Sequence, residues 1–223
     1  MSQEPTQKVD WNTVQTVFVD MDGTLLDLYF DNYFWLDYLP RRYAEQHDIP
    51  ADHARRELEP RFQAVEGTLN WYCLDYWSGE LGLDIITLKS EIQHLISVMP
   101  HVHEFLHAVR GLGKRLVLVT NAHGSVLNLK MNHTDIGEHF DLIISSHEIG
   151  VAKEGDGFWG KLQGIEAFEP RRSLLLDDSL RVLEAARRFG IAHLIAMCKP
   201  DSRLPAKEIT GFSSIETLDE IMP

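Results

Sequence analysis

Five apolar runs, unbroken rather than alternating with polar residues, constrain this chain more than any other feature. They are Val17-Phe18-Val19, Leu116-Val117-Leu118-Val119, Leu142-Ile143-Ile144, Leu174-Leu175-Leu176 and the segment 193–197. A strand that is apolar on both faces has to be covered on both faces, as in a parallel sheet between helices. The intervening segments 101–112, 124–133, 157–168 and 180–188 carry apolar residues at helical spacing, with Gly113, Gly137 and Gly190 where C-terminal caps are expected. The chain is therefore expected to be an α/β protein built on a five-stranded parallel sheet.

The pattern changes between the first run and Pro100. Aromatics crowd into Tyr29, Phe30, Tyr33, Phe34, Trp35, Tyr38 and Tyr43, and again into Trp71, Tyr72, Tyr76 and Trp77, with charged residues between them. Segments 30–47, 52–66, 69–80 and 84–98 are expected as four helices, punctuated by Pro40, Pro50, Gly67 and Gly82. Residues 28–99 then form a helical cap inserted into a core made of residues 1–27 and 100–223.

With 223 residues, 44% of them apolar, the chain is long enough to bury a sizeable core. A net charge of -13 argues against nucleic-acid polymers and anionic membranes as partners, since both need clustered Lys and Arg. A small anionic substrate remains compatible if a metal or local donors offset the field. Residues Met1–Asp10 are polar and lack the apolar centre of a signal peptide, and no apolar run reaches membrane-spanning length, so a cytoplasmic protein is expected. Cys73 and Cys198 fit neither a metal-ligand spacing nor a disulfide framework and are expected as reduced thiols.

In an open parallel sheet, ligands bind beyond the carboxyl ends of the strands. Asp20 and Asp22 end the first run, and their i, i+2 spacing lets both carboxylates converge on one point as the chain turns. Gly23 permits a sharp bend there, and Thr24 offers a hydroxyl and an N–H to an anion. Thr120-Asn121 ends the second run, Lys153 follows the third, and Asp177-Asp178-Ser179 ends the fourth. Taken singly, Asn121 could make an Asx turn, Lys153 could be solvated and Asp178 could cap a helix. Their joint arrival at one sheet edge is the signature of phosphoryl or related chemistry on a divalent cation.

These residues, in this order and spacing, resemble the four motifs of the haloacid dehalogenase superfamily of phosphatases, and the helical insertion resembles that superfamily's cap. The resemblance implies a Rossmann-like core and a Mg²⁺-dependent phosphomonoesterase. Asp20 would be the nucleophile and Asp22 the general acid and base. Thr120 and Lys153 would hold the phosphoryl oxygens, with Asn121 assisting. Asp20, the Asp22 carbonyl and Asp178 would bind Mg²⁺. Asp177 stands where a Gly is frequent, and is either a further ligand, through water, or the partner that orients Lys153. The segments Asp31-Asn32-Tyr33-Phe34-Trp35 and Asn70–Trp77, with Thr120–His123 and Lys153-Glu154, are similar to a narrower group, the bacterial 5′-nucleotidases that act on GMP and IMP. This implies a purine nucleoside monophosphate as the small-molecule partner, with His123, Asn32, Trp71 and Tyr72 as candidate contacts. A phosphosugar or phosphoglycolate phosphatase, a phosphomutase and a catalytically silent binding module are the rival interpretations.

Overall fold

The computed structural model describes residues 9–223; residues 1–8, most of the segment whose polarity argues against a leader, lie outside that range. A wholly parallel sheet of six strands runs in the order β3-β2-β1-β4-β5-β6. Its strands are β1 (Thr16–Val19), β2 (Arg115–Thr120), β3 (Leu142–Ser145), β4 (Ser173–Asp177), β5 (His193–Met197) and β6 (Ser213–Ile215). The first five are the apolar runs of the sequence. The sixth escapes that pattern because Ser213-Ser214-Ile215 contributes one buried apolar side chain to an edge position.

Strand order reverses at the β1/β4 pair, which is where ligands bind in sheets of this kind. Val19 is in register with Leu118 on one side and Leu176 on the other. The next residues, Asp20 and Asp177, therefore leave the sheet side by side.

Between Leu26 and Val98 every regular element is helical. The order is α1 (Tyr29–Tyr33), a π-helical turn (Phe34–Tyr38), α2 (Leu39–His47), α3 (Ala51–Val65), a 3₁₀ turn (Leu69–Tyr72), α4 (Leu74–Leu81), α5 (Ile85–Glu91) and a 3₁₀ turn (Gln93–Leu95). The expected helix 30–47 thus contains a widened turn. Pro40 has no N–H to offer the carbonyl of Leu36, and the ladder opens just ahead of it. The expected helix 69–80 is likewise divided at Cys73, whose sulfur caps α4 by accepting the Tyr76 N–H at 3.4 Å.

The remaining helices are α6 (Val102–Gly111), α7 (Gly124–His133), α8 (Ser146–Ile149), α9 (Phe158–Ile165) and α10 (Leu180–Phe189). Alternate strand residues sort to opposite faces: Val17, Val19, Leu116 and Leu118 pack with α6 and α7, and Phe18, Val117 and Leu175 with α9 and α10. The first of these clusters continues without a break into the cap. The short α8 carries a capping box, Ser145 with Glu148, whose Ser-x-x-Glu signature is present in the sequence. Among the described residues, no helix is long and apolar enough to cross a membrane.

The chain enters and leaves the cap side by side. Met99 N–H donates to the Leu25 carbonyl at 2.8 Å, and Asp27 N–H donates to the Ser97 carbonyl at 2.9 Å. Inside the cap, the indole of Trp77 is 1% exposed and packs edge-on against Phe62 and Tyr76, each at 5.1 Å between ring centroids. Its Nε1 donates to the Trp71 carbonyl at 2.9 Å. Trp77→Ala empties this centre and should cost about 3–5 kcal/mol, read as a lower urea midpoint in equilibrium unfolding.

Candidate active site

The turn after β1 puts two carboxylates into different ion networks. Lys153 Nζ donates to Asp20 Oδ1, to Asp177 Oδ2 at 2.7 Å and to the Val119 carbonyl at 3.2 Å. Burial alone would strip the proton from this lysine, but Asp177 and Asp20 outweigh it and hold the ammonium charged well above its ordinary range. Burial pushes the Asp20 carboxyl up to about 6, Lys153 opposing and Asp177 adding to the shift. Asp177 engages both oxygens within the protein, one with Lys153 and one accepting the Ser179 N–H at 2.9 Å. Of its two expected roles, the contact with Lys153 is the one the geometry displays.

Asp22 meets a cation that the motif spacing does not reveal. Lys130 Nζ on α7 donates to Asp22 Oδ1 and to Asp31 Oδ2, both at 2.6 Å, and Lys89 Nζ on α5 donates to Asp31 Oδ1 at 2.7 Å. The two ammonium groups lie against aromatic faces, Lys89 at 4.3 Å from the Phe34 ring centroid and Lys130 at 5.2 Å from that of Phe30. A chain of two buried ammonium groups and two half-buried carboxylates thus runs from the site into the cap. Burial pushes Asp22 up to about 6 despite Lys130, a value suited to a group that gives and takes a proton near neutral pH. Both lysines occupy core-facing helical positions, Lys130 with Val126 and Leu127, Lys89 with Ile85 and Leu88. A lysine at such a position is the sequence signal that would have found them.

These groups line one cavity of about 250 Å³. Asp20, Asp22, Thr120, Asn121, Lys153, Asp177 and Asp178 form its floor, and Asn32, Trp35, Trp71, Tyr72 and Lys89 reach it from the cap. Thr120 Oγ1 accepts the Ala122 N–H at 3.0 Å. Asn121 accepts the Lys153 N–H at 2.9 Å and donates to Glu154, which also accepts the Tyr72 hydroxyl, each at 2.8 Å. Asn32 is held by Asp201 at 2.7 Å. Two expectations fail. His123 does not line the cavity; as the N-cap of α7 its ring turns toward His147 and Asp75. Thr24 is fully buried and is not among the residues that line the cavity.

Carboxylate oxygens of Asp20, Asp177 and Asp178 lie within 4.8 Å of one another. Three carboxylates face one ammonium, and burial together with Asp177 and Asp20 drives Asp178 well above the usual carboxylate range. An oxygen-only donor set with surplus negative charge fits a hard divalent cation. Gly23 makes the arrangement possible. At φ +82° an added Cβ would be strained, and it would stand 2.9 Å from Asp178 Cγ and 2.8 Å from Pro200 Cβ.

A parallel sheet with an acid–lysine cluster at its switch point and a helical insertion after its first strand defines a capped α/β enzyme with a Rossmann-like core. The chain belongs to the haloacid dehalogenase-like hydrolase family, whose model matches residues 14–190. It is 37% identical over 215 residues, 96% of this chain and 97% of the other, to the GMP/IMP nucleotidase YrfG of Escherichia coli (strain K12). The protein of the same name from Shigella flexneri matches equally. In fold it is similar to a HAD phosphatase from Thermococcus onnurineus, with a TM-score of 0.75, 21% identity, and 93% of this chain and 95% of the other covered.

Two outcomes are expected. Gly23→Ala should cost about 1–2 kcal/mol in urea unfolding and weaken divalent-cation binding measured by calorimetry, because Asp178 is displaced. Asp31 is held well below the usual carboxylate range, since Lys130 and Lys89 outweigh the opposing effect of burial. The folded chain therefore binds fewer protons there than the unfolded chain. The stabilisation is complete above about pH 4 and is lost as pH falls toward the folded value. Asp31→Asn should be less stable at neutral pH and show a flatter acid limb of stability against pH.

Proposed function

We propose that the chain is a Mg²⁺-dependent phosphatase acting on purine nucleoside 5′-monophosphates of the GMP and IMP type. The observation that carries the chemistry is the pair of separate partners at the turn, Lys153 on Asp20 and Lys130 on Asp22, which gives two carboxylates spaced i, i+2 two different ion partners. The nucleotide assignment is supported by the similarity to the two nucleotidases over nearly the whole chain and by the presence of Trp35 and Trp71, side chains of a kind that can stack on a base, among the residues lining the cavity.

Asp20 attacks phosphorus, forming an acyl-phosphate bond as the bond to the nucleoside 5′ oxygen breaks. Asp22 delivers its proton to that departing oxygen, then takes one from the water that cleaves the acyl phosphate and releases inorganic phosphate. Lys153 and Thr120 hold the phosphoryl oxygens, and Lys153 reduces their repulsion with Asp20. Asp177 fixes Lys153. Mg²⁺ held by Asp20, the Asp22 carbonyl and Asp178 would supply further neutralisation of the phosphoryl charge.

The modest cavity volume favours, as a second interpretation, a small substrate such as a phosphosugar or phosphoglycolate, whose leaving group is a sugar or glycolate. Phosphate release measured over GMP, IMP, AMP and a sugar-phosphate panel separates the two. GMP and IMP should lead in kcat/KM, Asp20→Asn should fall to background, and EDTA should abolish turnover. Release that survives Asp20→Asn removes the nucleophile assignment, and a panel led by sugar phosphates removes the nucleotide one.

A further inference from the structure

A second cluster of chemically competent side chains sits on the seam between cap and core, outside the catalytic cavity. Cys73 caps α4, His123 caps α7 and His147 lies in α8, and one ligand atom from each falls within 4.8 Å of the others. The two imidazoles meet edge to face, 4.9 Å between centroids and 83° between planes. His147 Nε2 is buried and has no hydrogen-bond partner among the described residues. A buried lone pair left without a donor is costly, which makes this nitrogen an acceptor in want of a ligand. On the solvent side, Asp75 Oδ2 is 3.7 Å from His123 Nε2.

We propose that Cys73, His123 and His147 form a site for a soft divalent transition metal, with Zn²⁺ as the type ion and Asp75 as fourth ligand, and that occupancy ties the cap to the core. Sulfur and imidazole nitrogen are donors Zn²⁺ prefers, and with three of them in place the Asp75 carboxylate oxygen would complete a tetrahedral shell. Ligand atoms around zinc stand about 3.3–3.8 Å apart, given its bond lengths. The present 4.8 Å limit leaves only small side-chain rotations to make. Binding breaks the Cys73 S–H bond, the proton passes to solvent, and the sulfur electron pair forms the metal bond with no change of oxidation state. The oxygen-only cluster at Asp20, Asp177 and Asp178 suits hard ions, and the two sites are thereby separated by donor chemistry. Because Cys73 and Asp75 belong to the cap, and His123 and His147 to the core, the metal cross-links the two parts. Sequence spacing conceals the set, since its ligands arise from three distant segments.

The test is a Co²⁺ titration of the purified full-length protein, without substrate, followed by thiolate-to-metal charge-transfer absorption. One equivalent should raise the band and Zn²⁺ should displace it. Cys73→Ser should abolish the band, and Cys73→Ser and His147→Gln should each weaken Zn²⁺ binding by at least about tenfold. No band in the wild type, or a band that persists in Cys73→Ser and so belongs to Cys198, overturns the site. In a separate arm, one equivalent of Zn²⁺ added to the Mg²⁺-loaded enzyme should slow p-nitrophenyl phosphate turnover in the wild type and leave Cys73→Ser unaffected. Equal inhibition of both, or of neither, overturns the cross-link. The spectral arm needs no turnover, so its result is independent of the proposed phosphatase activity.

Discussion

A single buried ammonium group organises the catalytic end of this protein. Lys153 neutralises the carboxylates that the β1 and β4 register delivers side by side, and it does so on the floor of the cavity. Without it, Asp20 and Asp177 would be two uncompensated charges away from water, an arrangement far more costly than the pair itself is stabilising. One positive charge among three carboxylates still leaves the site negative. That imbalance is what the proposed dication would offset.

The second network solves a different problem. The cap is a separate run of helices, yet Asp31 shares Lys130 with Asp22, so the position of the cap and the environment of the proposed proton donor are set by the same ion pairs. Tyr72 and Asn121 converge on Glu154 and add a neutral contact of the same kind. A change in how the cap sits is thereby felt at the reacting groups, which is how a remote module gains influence over chemistry.

The sheet and the cluster of polar residues at its edge were legible in the sequence because both obey simple rules. Unbroken apolar runs specify buried strands, and residues at strand ends in a parallel sheet share one rim. Asp20, Lys153 and Asp178 fall under that rule. Lys89 and Lys130 do not, since they are borne on helix faces and find their partners only through tertiary packing. The sequence did mark them, by placing charge where the helical period calls for an apolar side chain. His123 illustrates the opposite limit: the resemblance implied a contact in the cavity, but a helix start redirects the chain within two residues of Asn121. The widened turn at Phe34–Tyr38 follows from Pro40 and was readable in principle, whereas the sixth strand carries too little apolar signal to be read at all.

The paired crossing at residues 25–27 and 97–99 has a mechanical meaning. Two connectors bonded to each other cannot twist independently, so the helices beyond them are left essentially one axis about which to turn. Such a joint works like a door hinge. Any swing of the cap about it would follow a fixed arc and would bring Asp31 and Tyr72 back to the same seats.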